Sequence, residues 1–186
     1  MAPELEELSR LQLFTGLNKE TINLLVAKST IREEPPGKTI IPIGQINEYV
    51  YLLLSGRLCV QLDKEGISQT IVDAGESVGE LSIIDDRPTS AQVITETHCR
   101  LLVISKHAMW QLVNESHTVC INLMNIFSKR LRASNDRLTK SQKQNLTLEH
   151  LASVDPMTTL YNRRWLDNNI ELNLKQATDI KQPLSF

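Results

Sequence analysis

The chain has 186 residues, of which 41% are hydrophobic and 23% charged, with a formal charge of −2. That composition excludes disordered, collagen-like and mucin-like classes and leaves room for one full domain plus a remainder, or two small ones. Twenty Lys and Arg against twenty-two Asp and Glu provide no broad basic field for nucleic acid or an anionic membrane, so neither is expected as a partner. The longest apolar run, residues 49–54, is far shorter than the roughly 20 residues a membrane span needs. The N-terminus carries Glu4, Glu6 and Glu7 and no apolar stretch, unlike a signal peptide. Cys59, Cys99 and Cys120 stand far apart without a C-x-x-C pair, as reduced thiols of a cytoplasmic protein would. His98, His107, His117 and His150 lack metal-ligand spacing, and no metal is expected.

Three textures follow one another. Residues 4–28 read as short helices, with Leu5, Leu8 and Leu11 and then Leu17, Ile22, Leu25 and Val26 on apolar faces, and Asn18 placed to cap the second. From residue 35 short β-type runs alternate with Gly, Pro, Asn and Asp: 39–43, 49–54, 57–62, 69–72, 91–95 and 100–104. Their close spacing predicts a barrel or roll rather than βαβ units. Residues 107–114 make one short helix. From Ser116 to about Ser153 there is neither Gly nor Pro, which predicts a helix of up to about 55 Å, ended by Pro156. A further helix is expected from Asn162 to about Thr178. The fold class is therefore α+β: an antiparallel, jelly-roll-like β-roll with short N-terminal helices, a short helix and a long C-terminal helix.

The long helix carries a sparse heptad. Met124, Leu131, Leu138, Asn145 and Ala152 repeat every seven residues, and Phe127, Ser134, Ser141 and Leu148 interleave them. This pattern predicts a parallel homodimer seam, with Asn145 fixing register.

The stretch 75–91, Gly-Glu-Ser-Val-Gly-Glu-Leu-Ser-Ile-Ile-Asp-Asp-Arg-Pro-Thr-Ser-Ala, carries the candidate chemistry. A glycine opening a short helical turn inside a β-roll leaves backbone N–H groups at a helix N-terminus, where an anion fits. Small Ser90 and Ala91 let a ligand approach the backbone and add a hydroxyl donor, and Glu80 can accept from sugar hydroxyls. Gly79-Glu80-Leu81-Ser82 with Ser90-Ala91, after Pro36-Gly37, Gly44, residues 49–54 and Gly56, resembles the cyclic-nucleotide-binding domain of the catabolite activator protein and of protein kinase A regulatory subunits. The resemblance implies a cyclic AMP or cyclic GMP ligand. Gly79 and Glu80 would hold ribose and cyclic phosphate, and Ser134 and Asn135 on the long helix would close over the base. It also implies an Arg before the Ser-Ala pair, where this chain has Thr89. A guanidinium offers a bidentate, charge-assisted pair that a hydroxyl cannot replace. Losing such a partner costs about 1.5–3 kcal/mol, or roughly 10- to 100-fold in affinity. Arg87, two residues earlier and followed by Pro88, is the nearest substitute. Weak cyclic nucleotide binding, a different ligand in the same pocket, and a module kept only for dimerisation all remain open.

A second resemblance covers Asp155-Pro156-Met157-Thr158-Thr159-Leu160-Tyr161-Asn162-Arg163-Arg164, which is similar to the D-x-L-T-G-L-x-N-R-R opening of a GGDEF diguanylate cyclase domain. Met157 replaces Leu and Thr159 replaces Gly. This implies that two GTP are condensed with Mg2+ by residues further along such a domain, and no catalysis is expected of residues 1–186 themselves. The expected organisation is N-terminal helices at 1–34, a β-roll with a phosphate-binding cassette at 35–115, a dimerising and signalling helix at 116–153, and the start of the GGDEF domain at 154–186. Two rival readings stand beside it. A catabolite-activator-like transcriptional regulator needs a further domain with a net basic face, whereas residues 154–186 carry Arg163, Arg164, Lys175 and Lys181 against Asp155, Asp167, Glu171 and Asp179. A haem or iron–sulfur gas sensor on the same roll would need clustered ligands that the cysteines do not form.

Overall fold

The computed structural model describes all residues except 1, 2, 4, 63–67, 156, 159, 164, 168, 171–174, 176–178 and 180–186, and for 145–152 the backbone alone. The chain divides into two units, Met1–Lys129 and Arg130–Phe186.

The first unit opens with α1 (Leu5–Ser9), a 3₁₀ turn (Gln12–Phe14) and α2 (Lys19–Ala27). Asn18 caps α2 as its position predicts, its side-chain oxygen accepting from Thr21 N at 2.8 Å. Eight strands follow: β1 (Ser29–Glu34), β2 (Thr39–Ile41), β3 (Tyr49–Ser55), β4 (Arg57–Gln61), β5 (Gln69–Asp73), β6 (Ser77–Val78), β7 (Gln92–Thr95) and β8 (Cys99–Ser105). Between β6 and β7 lies α3 (Glu80–Asp85), and after β8 come α4 (Lys106–Glu115) and α5 (His117–Ser153). The strands form two four-stranded sheets in the orders β1-β8-β3-β6 and β2-β7-β4-β5, with every pairing antiparallel.

The near-continuous apolar runs at 49–54 and 99–104 arise because β3 and β8 are covered on both faces. Side chains alternate across a strand. Val50, Leu52, Leu54, Leu102 and Ile104 therefore join the helices in one core, with Leu11, Phe14, Leu25, Leu112 and Val119. Tyr51, Leu53, Cys99, Leu101 and Val103 point the other way, into the interior of the roll with Ile41, Leu58, Val72 and Val93. At Gly56 (φ +92°) the β3–β4 turn passes so close to the His98 carbonyl and Cys99 that a Cβ has no room.

One expectation needs correction. Residues 29–34, grouped by sequence with the N-terminal helices, form β1 and pair along their whole length with β8. Their Ser, Arg and Glu side chains hide the strand pattern because β1 is an edge strand with mostly exposed or half-buried positions. Phe127, a seam position of the heptad, is partly buried against the helical core with Val119, Leu123 and Ile126. Asn122 fixes this part of α5 by donating to the carbonyls of Leu13 and Thr15 at 2.9 and 2.7 Å. Met124, at 66% exposure, points away from that core.

In the second unit α5 continues to Ser153, with residues 131–144 exposed. Leu131 and Leu138 extend the stripe begun by Met124, at 64% and 60% exposure. Asn145, Leu148 and Ala152 have no described side chains, and Pro156 lies outside the described residues. Beyond α5 the chain makes a closed turn. Val154 bridges Tyr161, and Asp155 N and Asn162 N donate to the carbonyls of Leu160 and Ser153 at 2.8 Å each. Asn162 then accepts from Trp165 N at 3.0 Å through its side chain, starting a helix where the sequence places one. The described residues from Arg163 to Ile170 are helical, as are Lys175 and Asp179.

Candidate functional site

The cassette residues are positioned by one connection, the loop between β2 and β3. At its far end Asn47, 9% exposed, reaches back with its side-chain amide. The amide nitrogen donates to Tyr49 O at 2.7 Å, Gly79 O at 3.1 Å and Ser82 Oγ at 3.2 Å, while the amide oxygen accepts from Tyr49 N at 3.3 Å. Ser82 Oγ in turn donates to Gly79 O at 3.2 Å. Gly79 has φ +88° and caps α3; a Cβ there would sit 2.6 Å from Tyr49 O and 2.8 Å from the Asn47 amide nitrogen. Only glycine meets both the left-handed backbone and the close approach.

The other end of the cassette is held by the near part of the same loop. Thr89 exchanges backbone bonds with it: Gly44 N donates to Thr89 O at 2.8 Å and Thr89 N to Gln45 O at 2.9 Å. The Thr89 hydroxyl donates to Pro42 O at 2.5 Å and accepts from Gln45 N at 3.3 Å, and the residue is 9% exposed. The side chain that stands where an anion-pairing guanidinium is expected is therefore turned inward and satisfied by backbone. Between these anchors, Asp86 ends α3 in the left-handed conformation with φ +56°, and its carboxylate pairs with Lys106 at the start of α4. Arg87 is exposed and its backbone N donates to Asp85 Oδ1 at 3.2 Å.

The structure thus gathers Gly79, Ser82 and Thr89 on the residue 42–49 connection. Glu80, expected to meet a sugar, is 2% exposed, whereas Leu81 is 56% exposed. Ser90 is exposed and Ala91 half-buried. Ser134 and Asn135 belong to the second unit and are exposed on α5. Sequence reasoning missed Asn47 and Gln45. The signal available was modest: a polar residue in a turn immediately before the apolar strand β3. Among the described residues no group of three or more His, Cys, Asp or Glu gathers to hold a metal, and Cys59, Cys99 and Cys120 are free thiols.

In the second unit, residues of the 155–164 stretch hold one another in place. The Asp155 carboxylate accepts from Met157 N at 3.0 Å, Thr158 N at 2.9 Å and Thr158 Oγ1 at 3.0 Å. The Thr158 backbone bond, then its hydroxyl, then the Met157 amide hold this carboxyl below its usual pKa. Tyr161 stacks on Trp165 at a centroid separation of 3.9 Å.

The fold is shared with known proteins. Residues 31–116 match the family model of the cyclic nucleotide-binding domain. The first unit has the cyclic nucleotide-binding fold of the catabolite activator type. The chain is 25% identical over 136 residues to the CRP-like cAMP-activated global transcriptional regulator of Mycobacterium tuberculosis, covering 72% of this chain and 61% of that protein. It is 28% identical over 123 residues to the cyclic AMP receptor protein of Thermus thermophilus, covering 64% and 57%. The crystal structure of a cyclic nucleotide-binding domain from Methylobacillus flagellatus superposes with a TM-score of 0.64 at 26% identity, covering 74% of this chain and 81% of that one. The chain therefore spans about three-fifths of these curated relatives. No described helix is long and apolar enough to cross a membrane.

Proposed function

We propose that the chain is the sensor and helical relay of a cytoplasmic signalling protein, a cyclic nucleotide-binding roll whose cassette does not hold cyclic AMP or cyclic GMP tightly. The inward-turned Thr89 carries this reading, because it leaves the site without the buried positive charge that a cyclic phosphate requires on leaving water. Gly79, Glu80, Leu81, Ser82, Ser90 and Ala91 would line the pocket, and Arg87 would be the nearest cation. The exposed stripe of Met124, Leu131 and Leu138 supports a parallel homodimer through α5. The Asp155-anchored turn and the Asn162 cap support a GGDEF domain opening at residue 155, whose GTP and Mg2+ would be held by residues further along that domain. Helix pairing would then set how two such domains meet.

Calorimetry of the intact protein with cyclic AMP and cyclic GMP should give dissociation constants weaker than roughly 10 μM. Incubation with GTP and Mg2+ should yield cyclic di-GMP. Submicromolar nucleotide binding would overturn the cassette reading, and absence of cyclic di-GMP would overturn the output reading. The likeness to proteins named as transcriptional regulators favours a second reading, a DNA-binding output. Sequence-selective DNA retention by the intact protein would establish it.

A further inference from the structure

A cavity lies beside α3. It encloses about 260 Å³ and is lined by residues of β3, α3, α4 and α5, among them Ile83, Ile84, Trp110, Val113, Cys120 and Phe127. No polar atom is exposed on its wall. A wall with no polar atom gives water no hydrogen-bond partner there, whereas an apolar guest gives up no hydrogen bond on entering. The mouth is open as well: Ile84 and Trp110, which line it, are 45% and 39% exposed, while Met124, also on the wall, belongs to the stripe proposed above for the homodimer. Met109 and Met124 contribute thioethers, side chains that adapt to irregular guests.

We propose that this cavity is a binding site for an uncharged, apolar small molecule such as a medium-chain aliphatic. Glu80 is the one charged residue among the lining, and no polar atom of it is exposed on the wall, so a charged or strongly polar ligand finds nothing there to replace its hydration. The position gives the site a consequence. Ile83 and Ile84 belong to α3, the helix whose first turn follows Gly79, so a guest in the cavity touches the element that carries the cassette. It also touches Cys120, Leu123 and Phe127 on α5. Occupancy can therefore couple cassette and long helix without any ligand on the cassette, in proportion to the guest's differential affinity for their arrangements. The inference stands independently of whether the cassette takes a nucleotide.

Cys120, half-buried on the cavity wall, reports on occupancy, and the buried Cys59 and Cys99 serve as internal controls. n-Octanol is the probe, and alkylation by N-ethylmaleimide in the intact protein is followed by peptide mass spectrometry. Saturating octanol at about ten times its dissociation constant should slow labelling of Cys120 about tenfold, leaving Cys59 and Cys99 unchanged. Ile84→Trp at the mouth should abolish the protection, as should Val113→Phe from the α4 side. Absence of saturable protection in the natural chain overturns the proposal. So does equal slowing of all three thiols, or protection that persists in both folded variants.

Discussion

The inward-turned Thr89 makes a quantitative claim about stability. Thr89→Val keeps the shape of the side chain and removes only the hydroxyl. Pro42 O, which accepts from it at 2.5 Å, and Gln45 N, which donates to it at 3.3 Å, then lose their partner at a residue only 9% exposed. A hydrogen bond contributes about 0.5–1.5 kcal/mol net, and a buried group left unsatisfied costs about 1–3 kcal/mol. With one strong and one long bond, a loss of about 2 kcal/mol is expected, or about 4–8 °C in melting temperature for a chain of this size. Thr89→Ser is the control, because it keeps the hydroxyl and removes one methyl, at about 0.8 kcal/mol. Thermal unfolding followed by circular dichroism compares the two. A valine variant as stable as the serine variant would refute the latch.

The same geometry changes what Thr89→Arg should do. Arginine supplies the charge-assisted partner for a cyclic phosphate, about 1.5–3 kcal/mol or 10- to 100-fold in affinity. It also removes the hydroxyl latch, so the ligand-free variant should melt lower by a margin similar to that of Thr89→Val. The expected outcome is a less stable protein that binds cyclic AMP more tightly, with the lost stability recovered on adding nucleotide. Unchanged affinity in a folded Thr89→Arg variant would show that the pocket differs elsewhere.

Asn47→Leu removes the amide that joins Tyr49, Gly79 and Ser82, and should cost about 2–4 kcal/mol in chemical denaturation; a loss under 1 kcal/mol would show that the cassette is held otherwise. Leu131→Asp should convert a dimer to monomer in light scattering while circular dichroism of the roll is kept, because the residue is 64% exposed on α5; an unchanged mass refutes the seam. The Asp155 carboxyl has its pKa lowered in the fold, so its stabilisation of the turn is present above the ordinary carboxylate pKa of about 4 and is lost as pH falls through the lower folded value. Amide shifts of Met157 and Thr158 should follow that acid titration and lose it in Asp155→Ala.

The α+β roll was legible because β3 to β8 carry apolar runs punctuated by turn residues, and the long helix because no Gly or Pro interrupts 116–153. β1 was illegible for the opposite reason: Ser-Thr-Ile-Arg-Glu-Glu presents little apolar surface, and its place on a sheet edge is set by pairing with β8, which one strand's sequence does not encode. A period of seven cannot tell a helix packed on its own domain from one packed on another helix, and Phe127 in the heptad is partly buried against its own domain. Only the core contacts of Leu123, Ile126 and Phe127 separate the two stripes. At the site, the motif located Gly79 and Thr89 but not Asn47 or Gln45, because their roles come from hydrogen bonds between residues 32 to 44 positions apart in sequence.

Those bonds bear on how the module can signal. A cassette built around an arginine holds a buried cation that a bound anion satisfies, so ligand and local order are linked. Here Pro42, Gly44 and Gln45 satisfy Thr89 from within, and Asn47 does the same for Gly79, so these two positions are held before any ligand arrives. A nucleotide would add little to that order and could shift the long helix only slightly. The larger unfilled demand lies beside α3, where an apolar cavity meets Ile83, Ile84 and the α5 residues Cys120, Leu123 and Phe127. A guest there gains by replacing empty contact with dispersion, and it would act on both elements at once. In a chain with Thr89 at the cassette, the apolar face of α3 is therefore better placed than its Gly79 end to bias the long helix.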